Sequence, residues 1–278
     1  MILTLTINPA IDRNVSVDRL AFEDRGYILN TSESAGGRGI NASRVIEMFG
    51  GKTLAISTSG GKLGKKFQEL TESHGFPMVL VRIKSEMRTN LTVSDKQGLT
   101  VKLNEFGPQI QPKELEKLAK SVEGALKHAS WLMICGSLPP GVVPHFYTDL
   151  IHLAKKKKVK VLLDTDGEAL QHGLEAAPTV VAPNQQEAER LLNRALITRT
   201  HLVDAVNQIH HMGAESVILS LGSRGAIGRE GGELVEALPP RIDAVCPIGA
   251  GDALAAAFVW SMQRKPDFVD ALRWGVAA

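Results

Sequence analysis

The sequence predicts an α/β fold, with a mostly parallel central sheet, helices on both its faces, and a small second β-sheet set apart from it. Three observations carry the prediction. Short apolar runs alternate with helical patterns over most of the chain, as strand–helix–strand units require. Residues 14–34 and 89–103 break that alternation, showing apolar and polar residues at period two with no helix between strands. At 278 residues, with 44% hydrophobic and 22% charged content, the chain can bury a large core and is ordinary in composition.

Each element has its own reason. Residues 2–7 form a first strand that runs straight into Asn8-Pro9; lacking a basic leader and a cleavage site, they do not read as a signal peptide. A helix near 39–49 follows a glycine cluster, then come a strand at 53–57, a helix near 62–74 and a strand at 78–83. Within 89–103, residues 90–94 and 99–103 flank the polar turn Asp95-Lys96-Gln97-Gly98, a hairpin signal. Together with 14–34 they make a small sheet over the ends of the main strands. It is either a lid, since ligands of open α/β sheets bind at those carboxyl ends, or a plain edge extension. Further on come strands at 131–135, 159–164, 179–182 and 216–221, with helices near 144–157 and 185–193. The Ala-rich stretch after Asp252 reads as a buried helix, and 267–278 as a last one.

A net charge of +2 gives no reason to expect nucleic acid or an acidic membrane as partner. The one dense basic block, Lys155 to Lys158, reads as the solvated last turn of a helix. No apolar run is long enough to span a bilayer. Cys135 and Cys246 lie in or beside apolar strands without metal-type spacing, which predicts core residues of a cytoplasmic protein.

Several short motifs carry chemistry. In Pro247-Ile248-Gly249-Ala250-Gly251-Asp252, small residues open a helix whose free N–H groups attract an anion. Asp252, in its first turn, is either a cap or a base that takes a proton from a hydroxyl beside bound phosphates. Gly36-Gly37-Arg38-Gly39-Ile40-Asn41 opens another helix, where Asn41 either caps locally or hydrogen-bonds a polar ligand. Asp12 is placed to hold sugar hydroxyls or to close a turn. Gly136-Ser137-Leu138-Pro139-Pro140-Gly141 ends a buried strand abruptly, leaving the Ser137 hydroxyl at its carboxyl end. Asn184 and Glu187 have the spacing of a capping box, and Glu187 can alternatively serve, through water, a Mg²⁺ that bridges phosphates. Ser220-Leu221-Gly222-Ser223-Arg224-Gly225 is a turn whose glycines let a nucleotide lie against the backbone.

Taken in order, Asp12, Gly-Gly-x-Gly-x-Asn, Gly-Ser-Leu-Pro-Pro-Gly, Pro-Asn-x-x-Glu, Ser-Leu-Gly-x-x-Gly and Gly-Ala-Gly-Asp resemble the PfkB group of the ribokinase family. The opening Thr4-Leu5-Thr6-Ile7-Asn8-Pro9-Ala10-Ile11-Asp12 resembles its phosphosugar branch, which comprises 1-phosphofructokinase, tagatose-6-phosphate kinase and the minor 6-phosphofructokinase. The resemblance covers essentially the whole chain. It implies a ribokinase-like three-layer α/β/α fold, one kinase domain over 1–278, and lid segments at about 13–34 and 88–104. It implies ATP-dependent phosphorylation of a hydroxyl of a phosphorylated ketohexose, with ATP and Mg²⁺ as cofactors. Asp252 would be the base, and the amides of Gly249, Ala250, Gly251 and Asp252 the anion hole. Asp12, Gly37, Arg38 and Asn41 would hold the sugar. Asn184 would serve the cofactor and Glu187 the metal, while Ser220, Gly222 and Gly225 would line the ATP site.

Arg88, at the lid edge, is the expected receptor for the substrate's own phosphate, with Ser137 adding a hydroxyl. Lys102 falls where the minor 6-phosphofructokinase has an Arg, and Arg25 where it has a Lys reaching a substrate phosphate in the neighbouring subunit. These place fructose 6-phosphate ahead of fructose 1-phosphate. Arg38, however, replaces both the Lys common in 1-phosphofructokinases and the Gly of the minor enzyme. Ala253 stands where many relatives carry Ser or Thr, and the family pattern continues past Ala278 with a further helical segment. The lid's open β-face predicts a homodimer through the lids, with Arg25 acting across it. The competing readings are a tagatose-6-phosphate kinase, a kinase of an unphosphorylated sugar or nucleoside, a sugar-phosphate sensor without turnover, and a dinucleotide-binding dehydrogenase. The last is disfavoured because Asn-Pro-Ala-Ile-Asp, and no Gly-x-Gly-x-x-Gly turn, follows the first strand.

Overall fold

The computed structural model describes residues 1–21, 23–240 and 249–278. Its centre is β1 (Ile2–Thr6), every residue of which is buried. It pairs in parallel with β4 (Thr53–Gly60) on one side and β8 (Trp131–Cys135) on the other. Beyond β4 lies β5 (Met78–Ile83); beyond β8 follow β9 (Lys160–Asp164), β10 (Val180–Val181) and β11 (Ser216–Ser220), all parallel. The antiparallel hairpin of β12 (Ala226–Glu230) and β13 (Glu233–Ala237) completes a sheet ordered β13-β12-β11-β10-β9-β8-β1-β4-β5.

The alternation along β1 decides which helices cover which face. Leu3 and Leu5 join the large core beneath α3 (Pro112–Leu126), α4 (Phe146–Lys156), α5 (Gly167–Glu175), α6 (Gln185–Leu192) and α7 (Arg199–His211). Thr4 and Thr6 point the other way, toward α1 (Arg38–Met48), where Thr4 Oγ1 and Ser43 Oγ share a 2.8 Å hydrogen bond. The helix start sits very close to the sheet, for a Cβ on Gly39 would come within 2.6 Å of Thr6 Oγ1. That approach sets the glycine loop 36–39 on the carboxyl end of β1. Against α1 packs α8 (Ala250–Arg264), whose Ala255, Ala256 and Ala257 are fully buried, followed by α9 (Phe268–Ala277). The remaining helix, α2 (Gly61–Glu72), buries Phe67 in a smaller cluster with Ile11 and Ala35.

The second sheet has the order β3 (Ile28–Gly36), β2 (Ala10–Val17), β6 (Arg88–Asp95), β7 (Thr100–Asn104). Its central pair, β2 and β6, is parallel and its two outer pairs are antiparallel. Because side chains alternate between faces, the register fixes what each face carries. Asp12 lies opposite Asn90, and Thr92 opposite Lys102, giving a polar face. Leu91 lies opposite Leu103, and Val93 opposite both Val15 and Val101, giving an apolar face. On the latter Leu103 is 57% exposed, and nearby Ile28 is 64% exposed.

The structure adds to the elements read from the sequence three helices, α3, α5 and α7, and the two strands of the β12–β13 hairpin. It also shortens the strand expected at 179–182 to two residues. Asp12, expected just past the first strand, lies within β2. Among the described residues no helix is long and apolar enough to cross a membrane. Cys135 is a buried free thiol, and burial pushes its proton affinity up, which makes it inert; Cys246, Pro247 and Ile248 lie outside the described residues.

Candidate active site

The carboxyl ends of β9, β10 and β11, with the start of α1 at Arg38, border a cavity of about 340 Å³. One wall is the start of α8, with Gly249, Gly251 and Asp252; another is the start of α6, with Asn184 and Glu187; Ser220 closes the β11 side and Lys102 overhangs from the small sheet. This is the location expected of a ligand in an open α/β sheet.

Gly249 caps α8 at φ +83°, a left-handed conformation that favours glycine, and no side chain caps this helix. Among the described residues, a Cβ on Gly249 or Gly251 would meet nothing within 4 Å, so the space in front of these amides is open. Asp252 therefore does not cap. Its Oδ2 accepts a 2.7 Å hydrogen bond from Asn41 Nδ2, and Asn41 does not cap α1 either. Burial, and next the charge of Asp164, push the Asp252 carboxyl up to about 7, with the Asn41 donor and Arg38 pulling the other way. A carboxylate with that proton affinity is suited to take a proton near neutral pH.

Asn184 and Glu187 form the capping box read from their spacing: Asn184 Oδ1 accepts from Glu187 N at 2.9 Å, and Glu187 Oε2 accepts from Asn184 N at 2.9 Å. The box does not exhaust Glu187, since its Oε1 accepts from Arg38 Nη2 at 2.8 Å. Arg38 does not stay with the glycine loop that presents it. Its guanidinium also donates to Asp164 Oδ1 at 2.8 Å and to Asp166 Oδ2 at 3.4 Å. Asp164 and Asp166 were not foreseen as site residues. Two signals were available: Asp164 ends a buried strand on the side where ligands bind, and the run from Asp164 to Leu170 resembles the minor 6-phosphofructokinase. Burial raises the proton affinities of Asp164 and Glu187, and Arg38 opposes it in both. These carboxylates are the hard oxygen donors Mg²⁺ takes, although no group of three or more acidic, His or Cys side chains among the described residues is arranged to hold a metal alone. Mg²⁺ is commonly held by one or two carboxylates with waters and phosphates, so the donor set fits that ion.

On the other side of Asp252 lies the small sheet's polar face. The Asp12 carboxylate lies against Gly36, where a Cβ would fall within 2.1 Å of it, and accepts from Asn90 Nδ2 at 2.8 Å. Burial raises its proton affinity, with Asn90 and Arg88 opposing. Gly37, at φ +140°, makes the turn into α1. Arg88 donates to the backbone carbonyls of Asn8 and Glu105, each at 2.9 Å, which ties the small sheet to the end of β1; its Nε has no partner. Asn8, also missed in the sequence, is 4% exposed and donates to Ser137 Oγ and to the Phe106 carbonyl. The buried Oδ1 atoms of Asn8 and Asn90 accept nothing. Three polar atoms of this wall, Arg88 Nε and the Oδ1 atoms of Asn8 and Asn90, are thus buried without a partner.

Gly222 and Gly225 shape the turn after β11 at φ +61° and +87°. A Cβ on Gly225 would overlap the Ala237 carbonyl, whereas Gly222 faces open space. Ser220 bridges to Asn184, joining this turn to the start of α6. Arg25 is exposed in the β2–β3 connection and is not among the cavity's lining residues.

The family profile described as pfkB family carbohydrate kinase matches residues 5–278. A tagatose-6-phosphate kinase of Staphylococcus epidermidis is 33% identical over 259 residues, which covers 92% of this chain and 83% of that protein. A 1-phosphofructokinase of Borreliella burgdorferi is 31% identical over 279 residues, covering 100% of this chain and 90% of that protein. Phosphofructokinase-2 from Escherichia coli, solved in complex with fructose-6-phosphate, matches with a TM-score of 0.91 at 31% identity, covering 99% of this chain and 91% of that one.

Proposed function

Because the chain belongs to the PfkB family of carbohydrate kinases, we propose that it transfers the γ-phosphoryl group of ATP to a hydroxyl of a phosphorylated ketohexose. Fructose 6-phosphate and fructose 1-phosphate are the first candidates, and either yields fructose 1,6-bisphosphate. The observation that carries the reading is Asp252. Its carboxylate is held by Asn41 and freed from capping, and its proton affinity is raised to about 7 beside an open helix N-terminus.

Asp252 takes the proton of the attacking hydroxyl. The amides of Gly249, Ala250, Gly251 and Asp252 hold the oxygens of the phosphoryl group in flight, where fixed donors act on charge that develops only in the transition state. Asp12, Gly37 and Asn41 orient the sugar. Arg88, with Ser137, receives the sugar's own phosphate, and Lys102 closes over it from the small sheet, which acts as a lid. Ser220, Gly222 and Gly225 line the nucleotide side. Asn184 and Glu187 would hold Mg²⁺, which neutralises phosphate charge when bound. Arg38 contributes a planar cation between the two sides. Two copies pair through the apolar lid face of Val101 and Leu103, with Arg25 reaching the neighbouring site. The buried free thiol of Cys135 suits a reducing, cytoplasmic compartment.

The test is ADP release with Mg²⁺ and ATP against fructose 6-phosphate, fructose 1-phosphate, tagatose 6-phosphate, fructose and ribose, with Asp252→Asn as control. Turnover of one phosphosugar, abolished in the control, is expected. Turnover of fructose or ribose alone would overturn the substrate class, and turnover surviving in Asp252→Asn would overturn the assignment of the base.

A further inference from the structure

Arg38 is the most connected charged side chain of the cavity, and its partners are not those of a sugar-binding residue. They come from three places in the chain: the end of β9 (Asp164), the turn after it (Asp166) and the first turn of α6 (Glu187). The side chains of Asp164 and Glu187 are only 9% and 2% exposed. Carboxylates so far out of water need a counter-charge, and among the described residues Arg38 is the only cation paired with any of the three. Both Glu187 oxygens are engaged, Oε1 by Arg38 and Oε2 by the Asn184 amide. A divalent cation that used Glu187 would therefore meet a guanidinium already in place.

We propose that Arg38 is the resident counter-ion of this acid cluster, and that it holds the affinity of the nucleotide-free protein for divalent cations low. The inference rests on the reading of Glu187 as the metal-serving residue. A bare cation must displace a fork held by three carboxylates and brings no other ligands with it. A cation arriving on a nucleotide brings phosphate oxygens, which complete its own shell and also offer the displaced guanidinium a bidentate partner. Arg38 thus favours entry of the metal together with the nucleotide over entry ahead of it. A lysine could not do the same, since an ammonium is a point charge and cannot bridge carboxylates from separate elements with fixed geometry. Arg38 is in this sense a positioning residue, acting on the metal through Glu187.

The test is a titration of the nucleotide-free, sugar-free protein with Mn²⁺, reading free Mn²⁺ by its electron paramagnetic resonance signal. Relative to the unmodified protein, Arg38→Gln is expected to bind Mn²⁺ about tenfold more tightly, equivalent to about 1.4 kcal/mol. Adding Glu187→Gln to that variant is expected to remove the gain. Equal affinities, or a gain that survives Glu187→Gln, would overturn the proposal. Should Arg38→Gln fail to fold, Arg38→Lys keeps the charge but loses the fork. It is expected to show part of the gain, and none would be equally fatal. No sugar or nucleotide enters this measurement, so its failure is distinct from failure of the turnover assay.

Discussion

The hydrogen bond from Asn41 to Asp252 makes the acid limb of the pH–rate profile a quantitative test of the site. Asp252 must be unprotonated to act as a base. With its proton affinity raised to about 7, the rate should fall as pH drops through that value and be flat above it. The Asn41 amide donates to the charged form over 2.7 Å and so holds the value down. A hydrogen bond to a charged group is worth about 1.5–3 kcal/mol, and one pKa unit about 1.4 kcal/mol. Removing the donor should thus move the limb upward by about one to two pH units. Asn41→Ala admits a water that restores part of the bond and sets the lower end; Asn41→Leu fills the space with an apolar group and sets the upper. The assay is initial rate with both substrates held well below KM, so that the profile reports the unliganded enzyme. Both variants will also lose amplitude if Asn41 orients the sugar as proposed, but the position of the limb does not depend on amplitude. A limb in the ordinary range of an exposed aspartate, or one that stays put in both variants, would refute the reasoning.

The same burial should make the base a stability liability. The folded state holds a proton on Asp252 up to about pH 7, whereas the unfolded chain releases it near 3.8, so folding stability falls as pH rises between those values. Asp252→Asn should therefore raise Tm over the unmodified protein at about pH 8, by an amount on the order of a few kcal/mol in stability, and raise it less at about pH 5; a gain no larger at pH 8 than at pH 5 would contradict this. Gly251→Ala should separate folding from function. Its methyl meets no described atom, and alanine is the better helix former by up to about 1 kcal/mol, so Tm should hold or rise while turnover drops as the methyl fills the phosphate's space. Full turnover would mean that the phosphate does not lie there. Leu103→Glu, on the exposed apolar lid face, should convert a dimer to a monomer in sedimentation velocity, and an unchanged sedimentation coefficient would remove the lid as the interface.

How much of this was legible in the sequence depended on whether a feature was local. The glycine loops, the capping box of Asn184 and Glu187, and the strand–helix alternation are local, and their chemistry follows from neighbours in the chain. Helix α3 was equally local and was overlooked: Pro112 at its first position, the reciprocal Gln111 and Glu114 bonds, and Leu115, Leu118, Val122 and Leu126 at helical spacing all mark it. What could not be read were partnerships across the chain. Asn41 and Asp252 are 211 residues apart, and Arg38 and Glu187 are 149 apart. Each residue had a local explanation sufficient in itself, such as a cap, a turn or a sugar ligand. Only the packing of α1 against the carboxyl end of β1 sets aside the cap for Asn41 and Asp252 and gives Arg38 its partners.

That packing also joins the two halves of the site electrostatically. Asp164 is the largest charge raising the proton affinity of Asp252, and Arg38 is the cation that answers Asp164 while itself pulling Asp252 down. The basicity of Asp252 is thus not a property of α8 alone. It depends on whether the acid cluster across the cavity is neutralised. If a metal ion takes over Glu187, the guanidinium is released into the same cavity, so positive charge near Asp252 increases and the proton affinity of Asp252 should fall. Arg38→Gln acts in the opposite sense, removing a positive charge and raising that affinity, so its acid limb should shift upward without any contact between residue 38 and the base. An upward shift in Arg38→Gln with the Asn41 bond intact would show that the field of the acid cluster, and not the local hydrogen bond alone, sets the pH at which the site works.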